Sequence, residues 1–219
     1  AARRRDPQTI GGGGEGAPGS GRPAPRPAAP RCPALPGAPQ DAAALMRLLQ
    51  AGPTNALAGR RERRVAVHLP RDAYAAFLAE LPAPARLALD TRWGPPAADP
   101  HVVAGAFALS LHVFGNIVVG IQPARGYHID PKASYHSPDL VPPHGYLACY
   151  AWLRRVPRVD AVIHLGKHGN LEWLPGKALG LSGECWPEIA LGPLPHLYPF
   201  IVNDPGEGSQ AKRRTAAVI

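Results

Sequence analysis

The sequence predicts an α/β fold with a largely parallel sheet and flanking helices, and two observations support this prediction. First, three short apolar runs rich in β-branched or aromatic residues are typical of strands, namely Asn116–Ile121, Val159–His164 and Leu197–Val202. Second, a polar loop that contains glycine follows each run, and a helical pattern lies between the first two runs. Strands that alternate with helices pair in parallel. The loops then gather at the carboxyl ends of the strands, where α/β proteins bind ligands.

Helical patterns with start and stop signals cover much of the remaining chain. Asp41 is a suitable N-cap for the first helix, and Gly52-Pro53 is a suitable stop. An alternating run, Arg64–Leu69, predicts one further strand. The predicted helices are Ala42–Ala51, Asp72–Leu81, Pro84–Arg92, Gly145–Val156 and a segment from Ser209 to Ile219.

Composition divides the chain into three predicted segments. Residues 1–40 hold nine Pro, eight Gly and six Arg and have little to bury, so we predict a disordered linker there. Residues 41–98 are predicted to be mainly helical, and residues 99–219 to form an α/β core. Because the last predicted helix has no stop signal and the first residue is not Met, we expect an incomplete slice of a larger multidomain subunit.

Charge and cysteine content narrow the classes of function. The formal net charge is +8, but half of it lies in residues 1–40 without interleaved aromatic residues, so nucleic acid is not an expected partner. No apolar run reaches the ~18–20 residues that cross a bilayer, so no membrane is expected. Cys32, Cys149 and Cys185 lie far apart, which excludes a disulfide scaffold and is typical of a reducing compartment. We therefore predict a cytoplasmic protein.

The loop after the second predicted strand holds the densest set of reactive side chains. His164, His168 and Glu172 follow one another at intervals of four residues, with Gly166 and Gly169 between them. Imidazole and carboxylate groups bind divalent Co, Fe, Ni or Zn, and they also transfer protons. The glycines oppose a continuous helix but permit a tight turn that brings the three side chains together. A purely structural interpretation fits the spacing equally well. In it, His164 is a hydrogen-bonded residue of the core, and Glu172 is a carboxylate near the start of a helix, where the helix dipole favours it.

Other polar residues lie in the loops that follow strands or enter helices. Arg125 has a guanidinium group that suits a ligand carboxylate, although a solvated surface arginine explains it as simply. The loop before the last helix could hold an anion at the helix N-terminus, but it lacks a P-loop motif. The candidate substrate-binding residues are Gln122, Arg125, Tyr127, His144, Lys177, Asn203, Glu207, Lys212 and Arg213.

Four stretches of the chain carry a family resemblance. They are residues 115–127 (GNIVVGIQPARGY), 138–155 (PDLVPPHGYLACYAWLRR), 161–182 (AVIHLGKHGNLEWLPGKALGLS) and 185–214 (CWPEIALGPLPHLYPFIVNDPGEGSQAKRR). They match the patterns G-x-Q-P-x-x-G-Y, P-H-G-[YF], H-x-G-x-H-G-x-L-E-x-x-P-G-K and N-x-P-x-E-x-x-x-A-K-R-R. The chain thereby resembles the large subunits of aerobic, ATP-dependent cobaltochelatase and of the related magnesium chelatase. Trp173 and the run LGPLPHLYPFIVNDPGEG are similar to the cobalt type.

The resemblance implies a ligase that forms nitrogen–metal bonds. It implies insertion of Co²⁺ into hydrogenobyrinic acid a,c-diamide, a tetrapyrrole, during cobalamin biosynthesis. The partners would be two smaller subunits, an AAA+ ATPase and an adaptor, and ATP and Mg²⁺ would be bound by the AAA+ partner and not by this chain. His164, His168 and Glu172 would supply bases and metal ligands, and the basic candidate residues would meet substrate carboxylates. The chain by itself is expected to be inactive.

Three further functions remain compatible with these residues. One is chelation of magnesium or nickel by the same superfamily, with a porphyrin as the substrate of the magnesium type. A second is hydrolysis by a metal enzyme that uses two histidines and one carboxylate. A third is nucleic-acid binding that depends on residues 1–40.

Overall fold

The structure is a computed structural model that describes residues 35–127, 137–166, 169–199 and 205–219. Most of the predicted linker lies outside the described residues, as do His168 and Asn203. The helices are α1 Ala42–Ala51, α2 Arg71–Ala79, α3 Ala83–Trp93, α4 His144–Arg155, α5 Trp186–Leu191 and α6 Pro205–Thr215. Short 3₁₀ turns occupy Arg60–Glu62, Pro96–Ala98 and Leu171–Trp173.

The helix predictions depend on local signals and agree well with the structure. Helix α1 has the predicted bounds, and Asp41 caps it by accepting a hydrogen bond from the backbone N–H of Ala44 at 2.7 Å. Helices α2, α3 and α4 begin and end within two residues of their predicted limits. Helix α6 differs, because it begins at Pro205 and ends at Thr215 instead of running from Ser209 to Ile219.

The strands form three small sheets. Strands β1 Val67–Pro70, β2 Val102–Val103 and β3 Ala106–Leu109 make an antiparallel sheet in the order β1-β3-β2. Strands β4 Leu111–Phe114 and β5 Ile117–Gly120 form an antiparallel hairpin. Strands β6 Val162–Ile163 and β7 His196–Leu197 pair in parallel, and Val218 extends this pair through a parallel bridge to Leu197.

The prediction of a largely parallel sheet is therefore wrong, since the described sheets are mostly antiparallel. The predicted strand at Asn116–Ile121 pairs with the segment just before it through the two-residue turn Gly115-Asn116. Gly115 has a φ of 60°, a conformation that glycine adopts without steric cost and that short hairpins require. The α/β character is confirmed. A short parallel pair does form within or beside the other two predicted runs, but each strand has only two residues, and residues 200–202 of the last predicted strand lie outside the described residues.

Helix α4 forms the centre of the core and is buried from His144 to Trp152. It packs against β3, α2 and α5, and the apolar cluster around it includes Phe77, Phe107 and Leu171. Asp99 lies at its N-terminus and accepts a hydrogen bond from the backbone N–H of Gly145 at 2.8 Å. A carboxylate there satisfies an end group of the helix and favours the helix dipole. The position of α4 matters for function because its side chains reach the loop after β6.

Among the described residues, no helix combines the length and the apolar character needed to cross a membrane.

Candidate functional site

Two histidines meet where the parallel strands β6 and β7 lie side by side. His164 follows β6, and His196 begins β7. Parallel pairing of Val162 with His196 brings the two imidazoles together, with His164 Nδ1 and His196 Nε2 3.0 Å apart. The rings meet edge to face, with centroids 4.6 Å apart. The strand register therefore builds a contact between residues that are 32 positions apart in sequence.

Each histidine has a hydroxyl partner on its other ring nitrogen. Nδ1 of His196 lies 2.8 Å from Oγ1 of Thr215 on α6, and Nε2 of His164 lies 3.3 Å from the hydroxyl of Tyr150 on α4. Burial and the neighbouring His196 lower the pKa of His164 to about 3. Burial lowers the pKa of His196 to about 4. Both rings are therefore neutral at pH 7, and each carries one proton that its surroundings must place.

Glu172 lies in the 3₁₀ turn Leu171–Trp173 and has no exposed surface. Neither of its carboxylate oxygens makes a hydrogen bond with another residue in the described part of the chain. Burial raises the pKa of Glu172 to about 7, against the lowering effects of its own backbone N–H and of the positive charges of Arg125 and Arg214. A buried carboxyl that lacks such partners and titrates near neutral pH is unusual in a protein core and is typical of a group used in proton transfer.

The segment that carries Glu172 is held against α6. Arg214 donates hydrogen bonds from Nη1 to the carbonyls of Glu172 and Leu174, at 2.8 and 2.6 Å, and from Nε to the carbonyl of Lys177 at 3.0 Å. Trp173 donates from Nε1 to the carboxylate of Glu207 at 2.7 Å. These hydrogen bonds join residues that are 34 to 42 positions apart, and they hold the backbone at Glu172 in place.

A cleft of about 710 Å³ extends from His164 to Gly169, which lies close to Glu172. Its lining includes Tyr150, His164, Gly169 and Tyr198, and apolar side chains of the β4–β5 hairpin form another part. A Cβ atom added to Gly169 would lie 3.2 Å from the Tyr198 hydroxyl and 3.3 Å from Oε2 of Glu172. Gly169 thus allows the backbone to approach both oxygens closely, and the Glu172 carboxyl lies directly behind this part of the cleft wall.

Two predicted substrate-binding residues lie beside the cleft or next to Glu172. Gln122 lines the cleft and donates from its side-chain amide to the Tyr150 hydroxyl at 3.1 Å. Arg125 is buried, donates to the carbonyl of Ser137 at 2.6 Å, and lies close enough to Glu172 to lower its pKa. The structure therefore brings Gln122 and Arg125 to the same region as His164 and Glu172.

Tyr127 and His144 lie elsewhere. The ring of Tyr127 packs on Trp93 with centroids 4.7 Å apart, and burial raises its pKa to about 12. His144 is buried, and its ring nitrogens lie 3.0 Å from the Tyr74 hydroxyl and 2.9 Å from the carbonyl of Gly94. Since both nitrogens of His144 are occupied by core partners, we assign this histidine to the fold and omit it from the proposed site.

The remaining predicted residues are exposed, buried beside Glu172, or outside the described residues. Lys177, Lys212 and Arg213 are exposed. Glu207 is buried and bound to Trp173. In the described ranges, no three His, Cys, Asp or Glu side chains form a group that could hold a metal ion. The trio of His164, His168 and Glu172 includes a residue outside those ranges and stays a prediction.

Comparison with known proteins identifies the family. The family model described as CobN/Magnesium Chelatase matches residues 34–219. The chain belongs to this family. The resemblance drawn from the loop motifs is thereby confirmed, and the matched region contains all four of those stretches.

Two curated relatives and one solved structure show the extent of the similarity. The chain is 62% identical over 181 residues to the aerobic cobaltochelatase subunit CobN of a Sinorhizobium species, covering 83% of this chain and 14% of that protein. It is 57% identical over 183 residues to the same-named subunit of Pseudomonas aeruginosa, covering 84% and 15%. The catalytic subunit of cobaltochelatase from Mycobacterium tuberculosis matches with a TM-score of 0.67 and 43% identity, covering 80% of this chain and 15% of that chain. The chain thus spans only 14 to 15% of the length of these relatives.

A magnesium-type relative matches over a shorter stretch. A magnesium-chelatase subunit of Cereibacter sphaeroides is 44% identical over 105 residues, which is 48% of this chain and 9% of that protein. The identity is lower and the covered share of the chain smaller than for the two CobN subunits.

Sequence reasoning missed His196, Thr215 and the role of Arg214. In the sequence, His196 is a lone histidine and Arg214 is part of a basic helix face. A usable signal is present in the sequence, because His164 ends one short apolar run and His196 directly precedes another. Parallel pairing of those runs places the two rings side by side.

Proposed function

We propose that this chain forms part of the tetrapyrrole- and metal-binding subunit of an aerobic cobaltochelatase. The reaction is insertion of Co²⁺ into hydrogenobyrinic acid a,c-diamide in cobalamin biosynthesis, in the cytoplasm. The partners are two smaller subunits, an AAA+ ATPase and an adaptor, and ATP is hydrolysed with Mg²⁺ on the AAA+ partner. The observation that carries the proposal is the buried carboxyl of Glu172, whose oxygens have no hydrogen-bond partner among the described residues, behind a cleft lined by His164. The chain that holds it is 62% identical over 181 residues to a CobN subunit.

Glu172 is the proposed proton acceptor. Each ring N–H that is replaced by an N–Co bond releases one proton, and a base close to the ring must take it up. A carboxyl with a pKa of about 7 is ionised in about half of the molecules at neutral pH and still binds a proton readily. Arg125 supports this role, because its positive charge stabilises the ionised form between turnovers.

His164, together with His168, is the proposed cobalt-binding group. The neutral imidazole of His164 offers a lone pair, and imidazole is a good ligand for Co²⁺. Its position on the cleft next to Tyr150 and Tyr198 would deliver the metal to the face of a bound ring. As cobalt leaves its waters for the ring nitrogens, the histidines would replace part of its hydration shell.

The exposed basic residues are proposed to bind the periphery of the substrate. Hydrogenobyrinic acid a,c-diamide carries several carboxylates, and Lys177, Lys212 and Arg213 are exposed cations near the segments that frame the Glu172 turn. Asn203 and Gln122 would bind its amides. Exposed charge pairs of this kind direct and orient a ligand more than they add affinity, so the loss of any one cation should weaken binding only modestly.

The test uses the complete subunit with its ATPase partners, ATP and Co²⁺. Glu172→Ala and His168→Ala should abolish cobalt insertion, which is followed by the change in the absorption spectrum of the tetrapyrrole. Binding of hydrogenobyrinic acid a,c-diamide, titrated optically without cobalt, should remain measurable in both variants. The matched control is His68→Ala, which removes an exposed histidine on β1 that is not part of the cleft lining.

Unchanged insertion rates in both variants would refute the proposed site. A wild-type complex that binds the tetrapyrrole but inserts no cobalt would refute the proposed reaction.

Magnesium chelation is the second candidate function, and the match to a magnesium-chelatase subunit favours it over metal-dependent hydrolysis and nucleic-acid binding. The same optical titration with a porphyrin and Mg²⁺ in place of the corrinoid and Co²⁺ distinguishes the two metals. Tighter porphyrin binding with magnesium insertion would replace the cobalt assignment.

A further inference from the structure

A line of hydrogen bonds runs from the backbone of α6 to the cleft, and its direction can be read from its first acceptor. The Thr215 hydroxyl lies 2.8 Å from the carbonyl oxygen of Ala211, which only accepts, so the hydroxyl proton is committed to that carbonyl. Oγ1 of Thr215 must then accept from Nδ1–H of His196 at 2.8 Å. A buried imidazole holds one proton in preference to a net charge, and His196 has only 2% of its surface exposed. Its single proton is then on Nδ1, and its Nε2 has a lone pair.

The same reasoning sets the proton of the second ring. Nε2 of His196 accepts from Nδ1–H of His164 at 3.0 Å. With its proton on Nδ1, His164 has a lone pair on Nε2, which accepts from the Tyr150 hydroxyl at 3.3 Å. Gln122 donates to the Tyr150 oxygen at 3.1 Å, which is consistent with the tyrosine using its own proton towards His164. Each N–H or O–H donor in this line of hydrogen bonds, from Thr215 through the two histidines to Tyr150, thus has one acceptor.

We propose that His196, backed by Thr215, is a positioning residue that fixes the tautomer and ring plane of His164 so that Nε2 of His164 faces the cleft as the cobalt-binding atom. This inference rests on the proposed function, because it assigns a task to a histidine that the proposal places on the metal. Ligating histidines commonly owe their tautomer and orientation to a partner on the other ring nitrogen. His196 has the burial and the geometry of such a partner, since only 2% of its surface is exposed.

The proposal explains why a second imidazole occupies this place in the core. An apolar side chain would fill the volume, but it would leave Nδ1–H of His164 without an acceptor. The other tautomer, with the proton on Nε2, would then become competitive and would block the atom that must bind metal. The bond from Tyr150 is long for an O–H donor, so cobalt can displace it at small cost.

The experiment measures Co²⁺ binding by the complete subunit, with Co²⁺ alone as the probe. The readout is the visible absorption of bound Co²⁺. The part of this absorption that the wild type shows and His164→Ala does not is the component due to His164. His196→Leu should weaken this component about 10- to 100-fold in affinity and shift its spectrum, as loss of such a partner does in metal sites. His196→Gln should restore most of it, because the amide oxygen can accept from Nδ1–H of His164.

The hydroxyl end of the line gives an independent pair of variants. Thr215→Ser keeps the hydroxyl and should bind cobalt as the wild type does, whereas Thr215→Val should weaken binding by a smaller factor than His196→Leu. The matched control is His112→Leu, since His112 is a buried histidine on β4 that is not part of the cleft lining. Thermal unfolding of each variant separates a loss of fold from a loss of positioning.

Two results would overturn the inference. One is a wild-type signal with no component due to His164, and the other is an equal effect of His196→Leu and His196→Gln in variants that unfold at the same temperature. Failure of the proposed function looks different, because the component due to His164 would be present and sensitive to His196 while the complex inserts no cobalt.

Discussion

Replacing Glu172 by glutamine tests whether burial keeps this carboxyl partly protonated at neutral pH. Burial raises the pKa of Glu172 from 4.5 to about 7. The folded state then binds the proton more tightly than the unfolded state does. The stability that this proton contributes is complete below pH 4.5 and is lost as the pH rises through about 7. The difference between the two pKa values corresponds to about 3 kcal/mol. Glutamine does not titrate, so the unfolding free energy of Glu172→Gln does not include this pH-dependent decrease.

Urea unfolding at a series of pH values from 4.5 to 8 measures the effect. Fluorescence is a suitable signal, because Trp173 adjoins Glu172 in the same 3₁₀ turn. Between the two ends of the series, the unfolding free energy of Glu172→Gln should rise by about 3 kcal/mol relative to the wild type. A comparison of unfolding free energies at a single pH is less informative, because a buried glutamine amide at this position would also find no hydrogen-bond partner among the described residues.

The matched control is Glu184→Gln, the same substitution at an exposed position shortly before helix α5. Cobalt insertion should be lost in Glu172→Gln and kept in Glu184→Gln. Wild-type and Glu172→Gln curves that stay parallel from pH 4.5 to pH 8 would refute the reasoning. Such curves would mean that the carboxyl has its ordinary affinity for protons and is not suited to take them up near neutral pH.

Two further substitutions test contacts that position the site. Arg214→Lys should lower the unfolding free energy by about 2 kcal/mol and slow cobalt insertion. The reason is that one ammonium group cannot reach the three carbonyls that the guanidinium binds. An unchanged denaturation midpoint would contradict this expectation. Burial raises the pKa of Asp99, but hydrogen bonds from His101 and the N–H of Gly145 outweigh burial and hold it below the usual range. Asp99→Asn should therefore cost about 2 kcal/mol at pH 7, and the cost should disappear as acid protonates the wild-type carboxylate. Equal costs at pH 7 and pH 3, measured by urea unfolding, would count against this account.

The elements that were predicted well are those whose signals are local. Helix α1 has its N-cap at Asp41 and its end at Gly52, and both signals lie within one turn of the helix end that they mark. The loops chosen as candidate sites remain predictions, although the structure brings several of their residues together. Gln122, Arg125, His164 and Glu172 come to one region because strand ends and α4 bring their loops together.

The sheet was predicted wrongly because pairing was inferred from the order of elements alone. A buried apolar run fits a parallel strand or one arm of a hairpin, and the turn that precedes it decides between them. Here the turn Gly115-Asn116 carries that information. The same limit applies to His144, whose place before a helix suggested the cleft although its ring is bound by Tyr74 and Gly94 in the core.

By itself, the sequence determined the family, most helix limits and the chemical groups available at the site. Motifs, caps and periodicity are properties of neighbouring residues, so they can be read without the fold. Only the tertiary structure decided which groups work together. It gave His164 a partner 32 positions away and bound the Glu172 turn to Arg214, 42 positions away. It also buried the Glu172 carboxyl, whose oxygens have no hydrogen-bond partner in the part of the chain that the structure describes. Those properties depend on strand register and on packing between distant segments, and burial sets a pKa only after the segments have come together.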